Sequence, residues 1–403
     1  MSNAAPRPSD VQVTSAAISL LVVSLLPVFL APLLSSYLKS DLGLSTALAG
    51  TVVSVTQGSL AVGALGIVPL LARSNRLLLG VSGMTLSLLG WSVASVVTAT
   101  PAVIGAQVAV GLGAGVASAT GNATLSHARN SVRAFSVATV VTVLIGSALL
   151  AGLPTLASAS PFWGLFTAAA GIVVVALGVA LSTPGSRAAI RFQPAARSVA
   201  PSGVESEPAD VQPWLRGPAA LLVLAMLALS IGNFAMWTFA AEIGQVAGLS
   251  SERTVQALGI TQILGLAGAL FAAVTRGWVG RWPVLPGAIL IVAVGNLLMG
   301  LAPNGGVFFL GLLAVNLAYY CFTPLMFAAA ADLDPAGRLA AVVGGASLVG
   351  GFLAPVLGAA VAGAGDDWVR MSVAAAVLIV LAVPLVVVAQ RGRKLSGELM
   401  SEA

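Results

Sequence analysis

Charged residues are scarce in this sequence. It has 18 Lys or Arg and 13 Asp or Glu residues among 403, or 8% charged, whereas soluble domains carry about 25%. So few charges cannot cover a body of 40.0 kDa in water, which excludes an ordinary soluble protein. Disorder is excluded as well, because disordered chains combine low hydrophobicity with high net charge and 58% of these residues are hydrophobic.

Cysteine and histidine are almost absent. The one cysteine, Cys321, cannot form an internal disulfide, and together with the one histidine, His127, it provides no cluster of metal ligands. No Gly-x-x-x-x-Gly-Lys-Ser/Thr sequence is present, so the chain is not expected to hydrolyse ATP. We therefore expect no cofactor, no metal site and no catalytic residue.

Long apolar segments, by contrast, fill the chain. A helix needs about 20 apolar residues to cross the ~30 Å of hydrocarbon in a bilayer, and twelve such segments can be placed. Their expected limits are Ala16 to Leu38, Ala47 to Leu71, Leu77 to Thr98, Ala102 to Leu125, Ala134 to Leu156, Pro161 to Ser182, Gly217 to Ala241, Thr254 to Thr275, Val284 to Ala302, Gly306 to Ala331, Leu339 to Gly363 and Val369 to Ala389. The sequence thus predicts an all-α integral membrane protein with twelve transmembrane helices.

One hydrophilic, proline-rich segment divides these spans into two groups of six. The expected organisation is a cytoplasmic N-terminal tail, an N-terminal six-helix bundle, a cytoplasmic linker, a C-terminal six-helix bundle and a cytoplasmic C-terminal tail, at 1–15, 16–182, 183–216, 217–389 and 390–403. With both termini inside, 15 of the 18 basic residues face the cytoplasm. That bias follows the positive-inside rule, so the net charge of +5 requires no nucleic-acid partner.

Four features recur at a constant offset of 205 residues. They pair Gly43-Leu44-Ser45 with Gly248-Leu249-Ser250, Gln57 with Gln262, Gly63 with Gly268, and Arg76 with Arg281. Serine at the end of each Gly-Leu-Ser turn is a favourable N-cap for the next helix. A fixed offset with a linker at the midpoint indicates a duplicated chain and two pseudo-symmetric bundles.

In this arrangement the chain resembles the major facilitator superfamily, and within it the twelve-helix bacterial drug and sugar efflux permeases. The loop after the second span keeps the two arginines of that family's motif, with Ala72 in place of its aspartate. The loop after the tenth span is similar to an Asp-Pro-x-Gly-Arg turn of bacterial facilitators. The resemblance implies a cytoplasmic gate with the candidates Arg73, Arg76, Arg276, Arg281, Asp334 and Arg338.

Glu242 is the charged residue closest to an apolar run, at the outer end of the seventh span. Isolated carboxylates at such positions tend to be functional, because burial makes the charged form costly and favours proton exchange. We therefore predict Glu242 as the proton-coupling residue. The alternative is a solvated acid at a helix end.

In major facilitators, the first, fourth, seventh and tenth spans line the central path. These spans carry polar, aromatic and helix-breaking residues, and the repeated glutamines add two more amides. An amide that faced lipid would lack hydrogen-bond partners, so we expect these side chains to face the protein or a cavity. The alternative is that they bond neighbouring helices, which contributes ~0.6 kcal/mol on average. The candidates for the substrate cavity are Pro27, Tyr37, Gln57, Gln107, Asn122, Asn233, Trp237, Gln262, Asn316, Tyr319 and Tyr320.

Together these features predict a secondary active transporter that moves a small neutral or lipophilic organic compound by alternating access, by proton-coupled efflux. It is expected to work as a monomer among membrane lipids, in the plasma membrane of a bacterium. One alternative is an uptake carrier for a small nutrient or aromatic compound. The other is an integral-membrane enzyme, for which only Asp332 with Asp334, or Asp366 with Asp367, would supply paired acids.

Overall fold

The computed structural model of the chain describes residues 10–71, 76–125, 131–157, 161–182, 217–275, 281–333 and 338–401. Every regular element in these stretches is a helix. In chain order the helices are α1 (Asp10–Phe29), α2 (Ala31–Ser40), α3 (Thr46–Gly66), α4 (Val68–Leu71), α5 (Arg76–Ala94), α6 (Thr100–Leu125), α7 (Ser131–Ala157), α8 (Pro161–Ser182), α9 (Pro218–Thr238), α10 (Ala240–Val246), α11 (Ser251–Thr275), α12 (Arg281–Gly300), α13 (Gly305–Leu333), α14 (Arg338–Ala362) and α15 (Trp368–Ser401).

The helices follow the twelve expected spans in order. Within the described residues, nine single helices are long and apolar enough to cross a membrane, and the bent pair α1 and α2 forms a tenth span. Two shorter apolar helices, Leu78–Ala94 and Val137–Gly152, occupy the third and fifth positions. The expected all-α membrane fold is thereby confirmed.

Two of the expected spans are broken near one end. The first bends by 43° between Ala17–Phe29 and Ala31–Ser40. Pro27 and Pro32 flank this bend, and each lacks the N–H group that would bond the carbonyl one turn earlier. The seventh span stops at Thr238, and the short helix α10 follows after Phe239.

By their contacts, the described residues form two compact units. The first unit contains Met1–Leu30 and Val55–Glu205, and the second contains Ala31–Ser54 and Ser206–Ala403. Helices α2 and the first part of α3 therefore belong by contact to the second unit, although they precede the central linker in sequence. This grouping brings residues from both halves of the sequence into one packed body.

Each unit contains the same close packing of helices. In the first unit, a Cβ on Gly90 of α5 would lie 2.7 Å from the carbonyl oxygen of Ala106 on α6. In the second unit, a Cβ on Gly295 of α12 would lie 2.8 Å from the carbonyl oxygen of Gly311 on α13. Both pairs differ by 205 residues, so the duplication in the sequence is also a duplication of helix contacts.

The repeated Gly-Leu-Ser turns have one conformation. Gly43 and Gly248 both have positive φ angles, 64° and 87°, which glycine adopts without steric cost. The hydroxyls of Ser45 and Ser250 each accept a hydrogen bond from the backbone N–H three residues later, at 3.3 and 3.2 Å. The two serines therefore cap α3 and α11, as their position in the sequence predicts.

Candidate functional site

Glu242 is the centre of a polar cluster in the second unit. It lies in the first turn of α10, beyond the span that ends at Thr238. The hydroxyl of Ser35, a fully buried residue of α2, donates a 2.7 Å hydrogen bond to Glu242 Oε1. The second oxygen, Oε2, is inaccessible to solvent and has no hydrogen-bond partner among the described residues.

This environment favours the protonated carboxyl. Burial raises the pKa of Glu242 from 4.5 to about 7, because a carboxylate loses its hydration there. The Ser35 hydrogen bond and the charge of Lys39 act in the opposite direction on this pKa, whereas the charge of Asp366 adds to the rise. Glu242 can therefore gain and lose a proton near neutral pH.

An ion pair lies beside Glu242. Lys39 Nζ is 2.6 Å from Asp366 Oδ2 and 5.0 Å from the centre of the Trp368 ring. The hydroxyl of Thr46, at the start of α3, donates to the other carboxylate oxygen of Asp366. Because 19% of the lysine side chain and 37% of the aspartate side chain are exposed, the pair contributes about 1 kcal/mol or less.

Asp366 also has an unusual backbone conformation. Its φ angle of 50° makes it the one non-glycine residue with positive φ in the part of the chain that the structure describes. Aspartate and asparagine tolerate this left-handed region better than most residues. The contacts with Lys39 and Thr46 hold the side chain in place, so the turn between α14 and α15 is fastened to α2 and α3.

Ser35 and Lys39 present both polar groups on one face of α2. Residues four apart lie on the same side of a helix, one turn from each other. Ser35 binds Glu242 at one level, and Lys39 binds Asp366 at the next. One helix face therefore contacts both the candidate proton carrier and the ion pair.

Helices α3 and α14 are in close contact near this cluster. A Cβ on Gly50 would lie 2.6 Å from the carbonyl oxygen of Pro355, so only glycine fits there. Ser54 Oγ accepts a 3.1 Å hydrogen bond from the backbone N–H of Val356. The first turns of α3 are thus packed against the proline-containing part of α14.

A second polar group lies deeper in the second unit, between α11 and α13. The hydroxyl of Tyr320 donates a 2.7 Å hydrogen bond to Gln262 Oε1. The amide of Asn316 donates to the hydroxyl of Thr261 and to the carbonyl of Leu312, both at 3.1 Å. Gln262 and Asn316 are both buried, and both bond neighbouring groups.

Aromatic rings extend this group towards α9. The ring of Tyr319 meets Phe234 edge to face at 6.2 Å between centroids, and it contacts Tyr320 at 5.9 Å and Phe322 at 5.2 Å. On α9, Asn233 and Trp237 are buried. Asn233 Oδ1 has no hydrogen-bond partner among the described residues, so this amide still has an acceptor to offer.

In the first unit, three candidates lie around the middle of α3, whereas Asn122 lies apart from them near the end of α6. Gln57 Nε2 is 3.5 Å from the carbonyl oxygen of Pro27. Gln107 is fully buried and accepts a 3.3 Å hydrogen bond from Thr56, while its Nε2 has no partner among the described residues. The side chain of Asn122, near the end of α6, is exposed.

The gate candidates are only partly described. Arg76 is buried and donates a 3.1 Å hydrogen bond from Nη1 to the carbonyl oxygen of Ala123, so it ties α5 to the end of α6. Outside the described residues lie Arg73, Arg276 and Asp334, together with the side chains of Arg281 and Arg338. The cytoplasmic gate stays a prediction.

The sequence predicts Glu242 as the proton-coupling residue and Tyr37 as a cavity residue, and Tyr37 is buried on α2. The partners Ser35, Lys39 and Asp366 are not among the predicted residues. The spacing of Ser35 and Lys39, two polar residues four apart in a short helix, was the available signal. The pairing of Lys39 with Asp366 is visible only in the folded structure, because 327 residues separate them in the sequence.

The described residues contain no group of three or more His, Cys, Asp or Glu side chains arranged to hold a metal ion. The side chains that the structure brings together are a carboxyl, an ion pair, amides, hydroxyls and aromatic rings.

The fold and the polar groups inside its apolar helices are those of a multi-pass membrane transporter. The chain belongs to the Major Facilitator Superfamily, whose sequence profile matches residues 14–359. The resemblance to this superfamily is thereby confirmed, and the family indicates a transporter, not an enzyme. No curated protein matches the chain.

Solved structures with the same fold include several transporters. The chain is 14% identical to a D-xylose–proton symporter, with a TM-score of 0.69, 94% of this chain covered and 96% of the other. It is 16% identical to a bacterial homologue of the human lysosomal transporter Spinster, inward-facing and unoccupied, with a TM-score of 0.71 and coverage of 96% and 98%. For the nucleoside transporter NupG the identity is 15%, the TM-score 0.69 and the coverage 94% and 99%.

Proposed function

We propose that this chain is a secondary active transporter that exports a small neutral or lipophilic organic compound in exchange for protons. The observation that carries the proposal is Glu242. The residue is half-buried, its Oε2 is inaccessible to solvent and has no hydrogen-bond partner among the described residues, and burial raises its pKa to about 7. A group with those properties changes protonation between a more acidic and a more alkaline compartment.

The substrate class follows from the neutral polar groups. Tyr319, Tyr320, Gln262 and Asn233 offer phenol, amide and aromatic surfaces in the second unit. Such groups stack on and hydrogen-bond an uncharged compound, whereas an ionic substrate requires a charged partner at the site. This supports a neutral or lipophilic molecule over an ion.

Uptake is the second candidate. One structural neighbour is a D-xylose–proton symporter, in which substrate and proton move in the same direction. A protonatable Glu242 would serve proton symport as well as proton exchange, so the same residue is compatible with a proton-coupled uptake carrier for a small nutrient or an aromatic compound. The two candidates differ in the direction in which a proton gradient drives the substrate.

The proposed setting is the plasma membrane of a bacterium, with the chain working as a monomer. Both termini and the linker 183–216 are proposed to face the cytoplasm, with six-helix bundles at 16–182 and 217–389. This topology places Glu242, Lys39 and Asp366 at the outer side, where protons would enter.

The test uses everted membrane vesicles and a panel of lipophilic fluorescent dyes and neutral metabolites. We expect an inside-acid gradient to drive accumulation, and we expect Glu242→Gln to abolish the gradient-driven part. The matched control is Glu252→Gln, which removes an exposed acid at the start of α11 and should leave transport unchanged. Accumulation driven only by the opposite gradient would favour uptake, and no gradient effect in wild type would refute proton coupling.

A further inference from the structure

We infer that Lys39 is the positioning residue that links the proton on Glu242 to opening of the second unit at the turn between α14 and α15. In this inference, Lys39 exchanges its partner Asp366 for the Glu242 carboxylate when the proton leaves. The inference rests on the proposed function only in taking Glu242 as the group that changes protonation. It adds a mechanism by which the protonation of Glu242 alters the contacts of the turn between α14 and α15.

The geometry gives Lys39 two acceptors. Its ammonium group has three donors, and in the structure it contacts Asp366 at 2.6 Å. Glu242 is held one helical turn away on the same face of α2 through Ser35. Glu242 Oε2 is enclosed and without a partner among the described residues, so it is available to accept.

The charges around Glu242 are few. Helix α10 packs against α2, α9, α11 and α12. Lys39 comes from α2 and Asp366 from the turn before α15, and both act on the Glu242 carboxyl by their charge. Residues 218–238 of α9 and 283–300 of α12 contain no charged side chain. On α11, Glu252 and Arg253 are exposed, so Lys39 is the cation placed to respond.

Loss of the proton changes which acceptor holds Lys39. A protonated Glu242 is neutral and needs no cation, whereas an enclosed carboxylate without a partner is strongly unfavourable. The Asp366 side chain is 37% exposed and keeps both its Thr46 hydrogen bond and its contact with water. Lys39 therefore relieves a larger cost at the deprotonated Glu242 than at Asp366.

The exchange would loosen the fastening of the turn. Lys39 and Thr46 together tie Asp366 to α2 and to the start of α3. When Lys39 moves, Asp366 keeps only its hydrogen bond with Thr46. The start of α3 then contacts this region through that bond and through the packing of Gly50 on Pro355. Deprotonation would thus favour separation of α3 from α14, and binding of a new proton would restore the pair.

The test measures access to a buried position and needs no substrate. Ala49, in the first turn of α3, is fully buried, and Ala49→Cys is introduced together with Cys321→Ser. Intact cells are treated with a membrane-impermeant maleimide between about pH 5.5 and about pH 8.5, a range around the Glu242 pKa of about 7. Reaction rates are corrected for the thiolate fraction measured with a cysteine at the exposed Asp41.

We expect the corrected rate to rise about threefold or more with pH in the parent protein, as the population shifts to the open form. Glu242→Gln should stay at the low rate throughout, because it mimics the protonated residue. Lys39→Gln should react at the high rate at every pH, since the fastening is already lost. A pH dependence that survives in Lys39→Gln would overturn the inference.

Asparagine variants of two neighbouring aspartates provide the matched control. Asp366→Asn keeps the left-handed backbone and the acceptor for Thr46 but removes the charge, and it should behave like Lys39→Gln. Asp367→Asn removes a negative charge at the adjacent residue and keeps an oxygen that accepts the hydrogen bond from the backbone N–H of Arg370. This variant should behave like the parent. Equal behaviour of the two variants would also overturn the inference.

The two proposals fail separately. Proton-driven transport with labelling that ignores Lys39→Gln would refute the partner exchange alone. Labelling that follows Glu242 and Lys39 as expected, in a protein without gradient-driven transport, would refute the proposed transport alone. A gel-filtration profile like that of the parent shows that each variant is folded.

Discussion

At the scale of residues, the informative groups are those whose hydrogen bonding is incomplete. Glu242 Oε2, Asn233 Oδ1 and Gln107 Nε2 are all enclosed and lack partners among the described residues. Such groups are costly in a static structure, so they are expected where a proton, a ligand or another conformation completes them. Gln262 and Asn316, by contrast, each have a side-chain hydrogen-bond partner on a neighbouring helix.

The first prediction at this scale concerns stability as a function of pH. Because the pKa of Glu242 is about 7 in the folded protein and 4.5 when unfolded, the folded state binds the proton more tightly. The stabilisation that comes from this tighter proton binding is fully present below about pH 4.5 and is lost as the pH rises through about 7. The stability then no longer depends on the protonation of Glu242. The loss is at most about 3–4 kcal/mol, because the pKa of Glu242 rises by about 2.5 and each pKa unit corresponds to about 1.4 kcal/mol.

Glu242→Gln should therefore unfold at a temperature close to that of the wild type under acidic conditions and at a higher temperature above pH ~7. Thermal unfolding of the detergent-solubilised protein across this range measures the difference. Glu252→Gln, at an exposed position, should show no such trend. A stability difference between Glu242→Gln and wild type that stays constant with pH would contradict this account of the carboxyl.

At the scale of helices, the duplication was readable from the sequence in part. The two Gly-Leu-Ser turns and their serine caps have local signals, and the structure confirms both. The contact of Gly90 with Ala106, repeated by Gly295 and Gly311, was not singled out. The sequence has 45 glycines, so their spacing alone does not identify the ones at which two helices come into close contact.

A prediction at this scale uses the repeated glycines of α3 and α11. A Cβ at Gly63 would overlap the carbonyl oxygen of Leu112, and a Cβ at Gly268 would overlap that of Leu317. Both partners belong to backbone and cannot move aside as a side chain would. We expect Gly63→Ala and Gly268→Ala each to destabilise the protein by about 1–3 kcal/mol.

The control for this prediction is Gly345→Ala. Gly345 lies within α14, and a Cβ there has no atom within 4 Å. Alanine is a better helix former than glycine by up to about 1 kcal/mol, so this variant should be neutral or slightly more stable. Unfolding temperatures in detergent compare the three variants, and a Gly345→Ala loss as large as that of Gly268→Ala would show that the carbonyl contacts are not the cause.

The breaks in the first and seventh spans show the limit of span prediction. Pro27 and Pro32 signal the first break, because proline removes a helical donor. Phe239 marks the second break without any proline or glycine beside it. The short helix α10 after this break packs against α2 and α11, and packing between distant segments has no local sequence signature.

At the scale of the whole molecule, composition predicts a membrane protein, whereas the grouping of the helices is known only from the structure. Scarce charge and twelve apolar segments indicate a membrane protein, and the repeat at an offset of 205 residues with the loop motifs indicates this family. The grouping of Ala31–Ser54 with Ser206–Ala403 was not predictable, because it depends on which helices meet at one end. The ion pair of Lys39 with Asp366 belongs to that grouping, so the candidate site was found only at its Glu242 and Tyr37 positions.

The remaining prediction concerns the side of the membrane on which these groups lie. Cationic loops are retained in the cytoplasm, and with both termini inside only Lys39, Arg253 and Arg370 of the 18 basic residues would fall on the opposite side. In a Cys321→Ser background, Asp41→Cys should therefore react with a membrane-impermeant maleimide in intact cells. Ser202→Cys, in the central linker, should react only after permeabilisation.

The reverse labelling pattern would invert the topology and place Glu242 on the cytoplasmic side. Protons would then reach Glu242 from the cytoplasm when the Lys39–Asp366 end opens. An inward proton gradient delivers protons from the outside, and a Glu242 on the cytoplasmic side, beyond Thr238, would lie far from that supply. Export by proton exchange therefore requires Asp41 to be external, and this labelling experiment tests that requirement independently of any substrate.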